Sequence, residues 1–500
     1  MFGATPAFHK GIFMRHVIVW FASALAALFA GTTEAVEARL ATTPCSVAGA
    51  SELLRCASLE IPEDWRRPSG RKLSLHLLIL PKLGAGPEQA PMLWLEGGPG
   101  VPGTISAPLY AGDLKFHRQR RAVILFDQRG TGASGALHCP MIETRSPLAD
   151  VWPPADVSKC RRELEARADL TRYSTEASAH DLEAIRSALG YDRIDLAGLS
   201  YGTYLAQAYV KLYPTRVRSV VLIGTVPLGE KLPLHHAWNG QLALRQLLVD
   251  CRADGPCHVA FPHLEADWAA LRQRLARGAI TIATEKGPLV VRQGPFGEMV
   301  RSALNSVDGK RGLPLLISHA AARDYAPLAQ AVRSQGADPG ADGLYLSVTC
   351  PEGTRRIQSN EIEPATRGSD FGRYRIDQQI VACRLWPRAT PDPRLLTRVR
   401  ANIPVLLLSG GRDATTPSAW ARRVAATLGN SRVVIIPAMT HLPAGLDNME
   451  CLDRMMDAFF ATASARELDT SCVATMSPPP FATSPDAAGV HIQTGEGMSS

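Results

Sequence analysis

No run of basic residues interleaved with aromatics occurs in the 500-residue chain, although Lys and Arg (54) outnumber Asp and Glu (47). The formal charge of +7 is spread along the sequence, which describes a mildly basic surface and argues against a nucleic-acid partner. No CxxC pair is present, so zinc lacks its usual ligand spacing and no metal site is expected. No internal repeat is found. Beyond the first 38 residues no apolar run is long enough to span a bilayer. The whole chain is 46% hydrophobic and 20% charged, the balance of an ordinary globular protein. Its length suits a core with a large insertion, or two domains.

The N-terminus carries an export pattern. Lys10, Arg15 and His16 precede an apolar stretch from Val17 to Ala30, and Val36-Glu37-Ala38 supplies a cleavage site. Residues 1–38 are therefore expected to be a signal peptide, with Met14 as an alternative start and an uncleaved anchor as the competing reading. No twin-Arg precedes the stretch. All ten cysteines lie after it, an even number that suggests disulfides in an oxidising compartment. Pairing neighbours in order gives 45–56, 139–160, 251–257, 350–383 and 451–472, although sequence alone leaves connectivity open. The expected location is secreted or periplasmic, with no stable membrane insertion once the signal is removed.

Apolar runs at 73–80, 91–95, 122–126, 194–198, 217–223, 404–409 and 432–436 read as strands. Helices are expected at 178–189, stopped by Gly190, and at 202–212, ended by Pro214. This alternation argues for an α/β fold with a mostly parallel sheet covered on both faces. Between 226 and 395 the pattern turns mainly helical. The expected layout is a core in two parts, 39–225 and 396–476, with 226–395 inserted as a lid. The segment 477–500, rich in Pro, Gly, Ser and Thr, is expected to be a disordered tail.

Gly198-Leu199-Ser200-Tyr201-Gly202 is a G-x-S-x-G between a strand and a helix. That setting strains the serine backbone and projects the hydroxyl at the carboxyl edge of the sheet. A serine hydroxyl is a weak nucleophile, so it needs a base, and the base needs an orienting acid. Asp413 follows strand 404–409 and His441 follows strand 432–436, in the order Ser, acid, His. Asp447 is a rival acid that breaks this order; His491 lies in the tail. Backbone N–H groups must face the developing oxyanion. One is expected from Tyr201, and the other from Gly97 or Gly98 in the loop Glu96-Gly97-Gly98-Pro99-Gly100. The segment from Asp127 to Gly132 lacks a phosphate-loop ending and reads as a turn bracing that loop.

Five segments together resemble the proline iminopeptidase and tripeptidyl aminopeptidase group of α/β-hydrolases: GGPG (97–100), DQRGTGAS (127–134), GLSYGTYLAQAY (198–209), GGRDATTP (410–417) and the later His441. The secreted tripeptidyl aminopeptidase-like branch is also resembled at CASLEIPEDWRRP (56–68), DCRADGPCHVAFPHL (250–264), GLYLSVTCPE (343–352), ECLDRMMDAF (450–459) and LDTSCV (468–473). Two departures stand out. Iminopeptidases usually carry His where Glu96 stands, and relatives commonly have Gly where Thr440 stands. The resemblance implies a peptidase acting on peptides with a free N-terminus and needing no cofactor. A carboxylate in the lid segment, Glu352, would then receive the α-ammonium, with Glu96 as a second substrate-binding candidate. An esterase or lactonase with the same three residues is the first alternative, and a non-catalytic binding protein on this scaffold the second.

Overall fold

The sheet that organises the chain is built by strands whose alternate residues face opposite layers. A computed structural model describes residues 40–285, 287–334 and 339–484. The strands are β1 (Thr43–Cys45), β2 (Leu54–Pro62), β3 (Lys72–Leu80), β4 (Met92–Leu95), β5 (Val123–Phe126), β6 (Ile194–Leu199), β7 (Val217–Ile223), a separate hairpin β8 (Ile280–Ile282) and β9 (Leu289–Val291), then β10 (Ala401–Gly410) and β11 (Leu428–Ile436). Their order is β1-β2-β3-β5-β4-β6-β7-β10-β11. From β5 to β11 every neighbouring pair is parallel; β1, β2 and β3 form an antiparallel edge. The expected mostly parallel sheet is thus observed.

Helices cover both faces. Those used below are α1 (Pro154–Glu165), α2 (Thr175–Ala188), α3 (Tyr201–Leu212), α4 (His236–Ala253), α5 (Leu264–Arg277), α6 (Gln293–Ala303), α7 (Val307–Ala321), α8 (Asp342–Glu352), α9 (Tyr374–Leu385) and α10 (Glu450–Thr462). On one face Leu93, Leu95, Leu222 and Leu407 pack with Leu182 and Ile185 of α2 and Leu205 and Tyr209 of α3. On the other, Met92, Trp94, Ile223 and Leu408 pack with Met455, Phe459 and Phe460 of α10. Neighbours in sequence fall into opposite layers, which fixes the register of every central strand.

Between β7 and β10 the chain is mainly helical, with the β8–β9 hairpin as an unexpected addition. Leu244 and Leu247 of α4, Trp268 and Leu271 of α5, Phe296 and Val300 of α6, and Leu316 of α7 form a third apolar cluster. Five disulfides join Cys45–Cys56, Cys139–Cys160, Cys251–Cys257, Cys350–Cys383 and Cys451–Cys472, the neighbour pairing. Among the described residues no helix is long and apolar enough to cross a membrane. The expected signal segment lies outside the described residues.

The expectation of a loose tail from Ser477 is corrected for its first part. Arg311 Nε donates to Pro480 O (2.9 Å), and Ala482 N donates to Arg311 O (3.1 Å). Ala482 is buried and Phe481 half-buried against the third cluster. Phe481, Ala482 and these two hydrogen bonds dock the stretch on α7. Residues 485–500 lie outside the described residues.

Candidate active site

Ser200 joins β6 to α3 with a φ of 53°. Such a conformation costs a non-glycine residue on the order of 1–3 kcal/mol and persists only where neighbours impose it. Ser200 N donates to Ile223 O of β7 (2.9 Å), and Thr203 returns its N–H and Oγ1 to Ser200 O (2.9 and 2.6 Å). The flanking glycines let the strand and helix approach. A Cβ on Gly202 would collide with the Leu95 carbonyl, and one on Gly198 would stand 2.6 Å from the Gly202 carbonyl carbon.

Asp413 and His441 leave β10 and β11 on the same edge of the sheet. His441 Nδ1 lies 3.1 and 3.0 Å from the two Asp413 carboxylate oxygens. Both side chains are buried. Thr415 N and Thr416 N donate to Asp413 Oδ1 (2.8 and 2.7 Å), and Thr416 Oγ1 donates to Oδ2 (2.6 Å) while sitting 3.1 Å from His441 Nδ1. Burial pushes the Asp413 carboxyl up, but His441 and these hydrogen bonds outweigh it and hold it below the usual carboxylate range. An ionised Asp413 keeps the imidazole proton on Nδ1 and leaves Nε2 as the basic nitrogen. The His441 ring rests on Gly224, where a Cβ would stand 3.2 Å from Cε1. Gly224 follows Ile223, the residue that anchors Ser200 N. Ser200, Asp413 and His441 are therefore gathered around the end of β7.

Gly98, Pro99 and Val101 line a cavity of about 520 Å³ together with Ser200 and Tyr201. Gly98 has a φ of 105°, which only glycine adopts without strain. Asp127 supports the following turn, accepting from Thr104 N and Oγ1 (3.1 and 2.7 Å). Arg129 is buried and forks onto Asp181 of α2 (2.7 and 2.6 Å).

Glu352, at the end of α8, lines the same cavity. It accepts from Thr175 N (2.8 Å) and Thr175 Oγ1 (2.7 Å) at the start of α2, and Thr175 Oγ1 also meets Tyr201 Oη (2.9 Å). Burial raises its carboxyl to about 7, against the pull of the Thr175 hydrogen bonds. Glu96, expected as a second substrate-binding candidate, is buried. It lies two residues past Trp94 and accepts from Trp94 Nε1 at the start of the glycine loop. Asp447 pairs with Ser477 Oγ (3.0 Å), not with His441, and His491 lies outside the described residues.

Several contributors escaped the sequence reading. Thr416 stands three residues past Asp413, a spacing at which a hydroxyl can close a turn onto a carboxylate, so it was findable. Thr175 carried no signal. Nor did Glu298 and Arg301 of α6, Arg375 of α9 and Trp152, which build another wall of the cavity.

The chain belongs to the α/β-hydrolase fold family, whose model matches residues 90–444. Its similarity to curated tripeptidyl aminopeptidases and proline iminopeptidases is consistent with the group that its sequence segments resemble. It is 24% identical over 465 residues to the tripeptidyl aminopeptidase of Streptomyces coelicolor, covering 85% of this chain and 84% of that one. It is 29% identical over 222 residues to the serine protease Hip1 of Mycobacterium tuberculosis, covering 40% and 42%. The solved proline iminopeptidase of Mycobacterium smegmatis aligns with 81% of this chain and 98% of its own, at 16% identity and a TM-score of 0.39.

Proposed function

We propose that the protein is an exported serine aminopeptidase that releases residues or short peptides from peptide N-termini through an acyl-enzyme. The observation that carries the reading is the sharing of one cavity by Ser200 and Glu352. Ser200 Oγ attacks the scissile carbonyl while His441 Nε2 takes its proton, with Asp413 orienting the ring and stabilising the imidazolium. The N–H groups of Tyr201 and of Gly98 or Gly97 receive the oxyanion. His441 then passes the proton to the leaving amine, and water releases the acyl group.

Glu352 gives this general chemistry its direction. Its hydrogen-bond donors on Thr175 are neutral, and burial has raised its carboxyl. An arriving α-ammonium supplies the countercharge that restores the carboxylate, so the free N-terminus is selected by electrostatics. The names of the relatives support the same direction. Five disulfides support an oxidising destination for the chain.

A panel of aminoacyl- and tripeptidyl-nitroanilides beside p-nitrophenyl esters tests the reading. Turnover of the free-amine anilides is expected, and the preferred length reports how far Glu352 stands from the scissile bond. Turnover confined to esters would replace the peptidase reading with an esterase.

A further inference from the structure

We propose that the cavity holds a second, cationic anchor, Arg301 with Arg375, which receives a carboxylate on the departing half of a short peptide. This rests on the aminopeptidase reading above and adds the substrate class to it.

Arg301 is buried at 7% exposure and lines the cavity. Its Nε and one terminal nitrogen grip Glu298 (3.1 and 2.7 Å), whereas the other terminal nitrogen has a single long contact, 3.4 Å to Thr415 Oγ1. Arg375 reaches the same Glu298 oxygen (3.1 Å) and Tyr345 Oη (3.1 Å), and stacks over Trp152 at 4.4 Å. Two guanidinium groups thus share the Glu298 carboxylate; Arg375 also feels the charge of Asp342, which leaves Arg301 as the less compensated of the two. Further carboxylates line the cavity, and of these Asp342 acts on Arg375. Asp342 accepts from Trp152 Nε1 (2.9 Å), and Asp150 takes Arg292 (2.9 Å) and Tyr374 Oη (3.0 Å). His236 reports the local field. Burial holds its imidazole well below the ordinary range, and Arg301 and Arg375 add to that effect more than Glu298 offsets it. Its Nδ1 is buried with no hydrogen-bond partner among the described residues, although His236 lines the cavity. A buried polar atom in this state is costly unless something completes it.

The position fits the chemistry. Arg301 touches Thr415, whose neighbour Thr416 touches His441. Glu352 is reached from the other side, through Thr175 and Tyr201. In the proposed reaction His441 hands its proton to the leaving amine, so the departing peptide lies on the His441 flank, against the arginines. An anionic anchor and a cationic anchor in about 520 Å³ suit a peptide of a few residues with both termini charged. The carboxylate can be the peptide's C-terminus or an acidic side chain just beyond the scissile bond.

The test compares four peptides of one short sequence on the wild-type protein: the free acid, its C-terminal amide, the amide with Asp after the scissile bond, and the N-acetylated acid. We expect the acid to exceed the plain amide about tenfold or more in kcat/KM, the scale of a charged hydrogen bond. In Arg301→Gln that ratio should fall toward one, while the free-amine to N-acetyl ratio, which reads Glu352, stays above one and shows an assembled site. Recovery of the rate by the Asp-containing amide supports the anchor and assigns a side-chain source; no recovery supports it and assigns the C-terminus. Equal rates for the acid, the plain amide and the Asp-containing amide in the wild type overturn the anchor and leave the aminopeptidase reading standing. Failure to cut any free-amine peptide overturns both.

Discussion

Replacing Glu352 by Gln should cost the protein its preference for a free N-terminus. The side chain keeps its size and one acceptor for Thr175, but the charge is gone. A hydrogen bond to a charged group contributes about 1.5–3 kcal/mol, which corresponds to about 10- to 100-fold in kcat/KM. The assay is the ratio of kcat/KM for a free-amine peptide to that for its N-acetyl twin, measured across pH. Ionisation of His441 enters both rates and cancels. In the wild type the ratio should rise as Glu352 ionises through about 7. It should fall again as the peptide amine loses its proton near about 8. In Glu352→Gln it should be near one and flat. Stability supplies an independent reading with the opposite slope. A carboxyl raised from 4.5 to about 7 keeps a proton in the folded state that the unfolded chain has already lost. Stability therefore falls as pH rises from about 4.5 to about 7, by up to about 3 kcal/mol, and the Gln variant lacks that fall. Equal cleavage of the free-amine and acetylated peptides by the wild type would refute the assignment of Glu352.

Two further outcomes follow from particular contacts. Thr416→Val removes the hydroxyl between Asp413 and His441; kcat/KM should drop about tenfold or more, with Thr416→Ser restoring it, and unaltered turnover in the Val variant would show that the hydroxyl positions nothing. Cys350→Ser with Cys383→Ser opens a loop with a sequence separation of 33 that ties α8, the carrier of Glu352, to α9, the carrier of Arg375. Denaturant titration should show a loss of about 3–4 kcal/mol, and KM for free-amine peptides should rise as the two helices loosen; an unchanged midpoint would contradict the loop-closure argument.

The parts legible in sequence are those that depend on local chemistry. Apolar runs located the central strands because a strand buried on both faces tolerates few polar residues. The expected 194–198 is observed as Ile194–Leu199, and 217–223 coincides with β7. Strand β10 begins three residues earlier than its apolar stretch, because Ala401 still pairs with Leu428 where side chains are half-exposed. Strand β2 went unmarked: Arg55 and Glu60 break its apolar pattern, and its pairing partner β3 is what holds it extended. At the site, Ser200, Asp413 and His441 were legible because the turn, the order and the strand ends are written in consecutive residues. The Thr175–Glu352 contact joins residues 177 apart, and Arg375 reaches the Glu298–Arg301 pair of α6 only through the packing of α6 and α9. No short pattern encodes such meetings.

The central claim, that Ser200 is a nucleophile served by His441 and Asp413, is tested most directly by a fluorophosphonate probe followed by mass spectrometry of the labelled peptide. The account predicts a single phosphonylated residue, Ser200, with labelling lost in Ser200→Ala and strongly slowed in His441→Ala. A natively folded wild-type protein that takes up no probe, or carries it on another residue, would contradict the account.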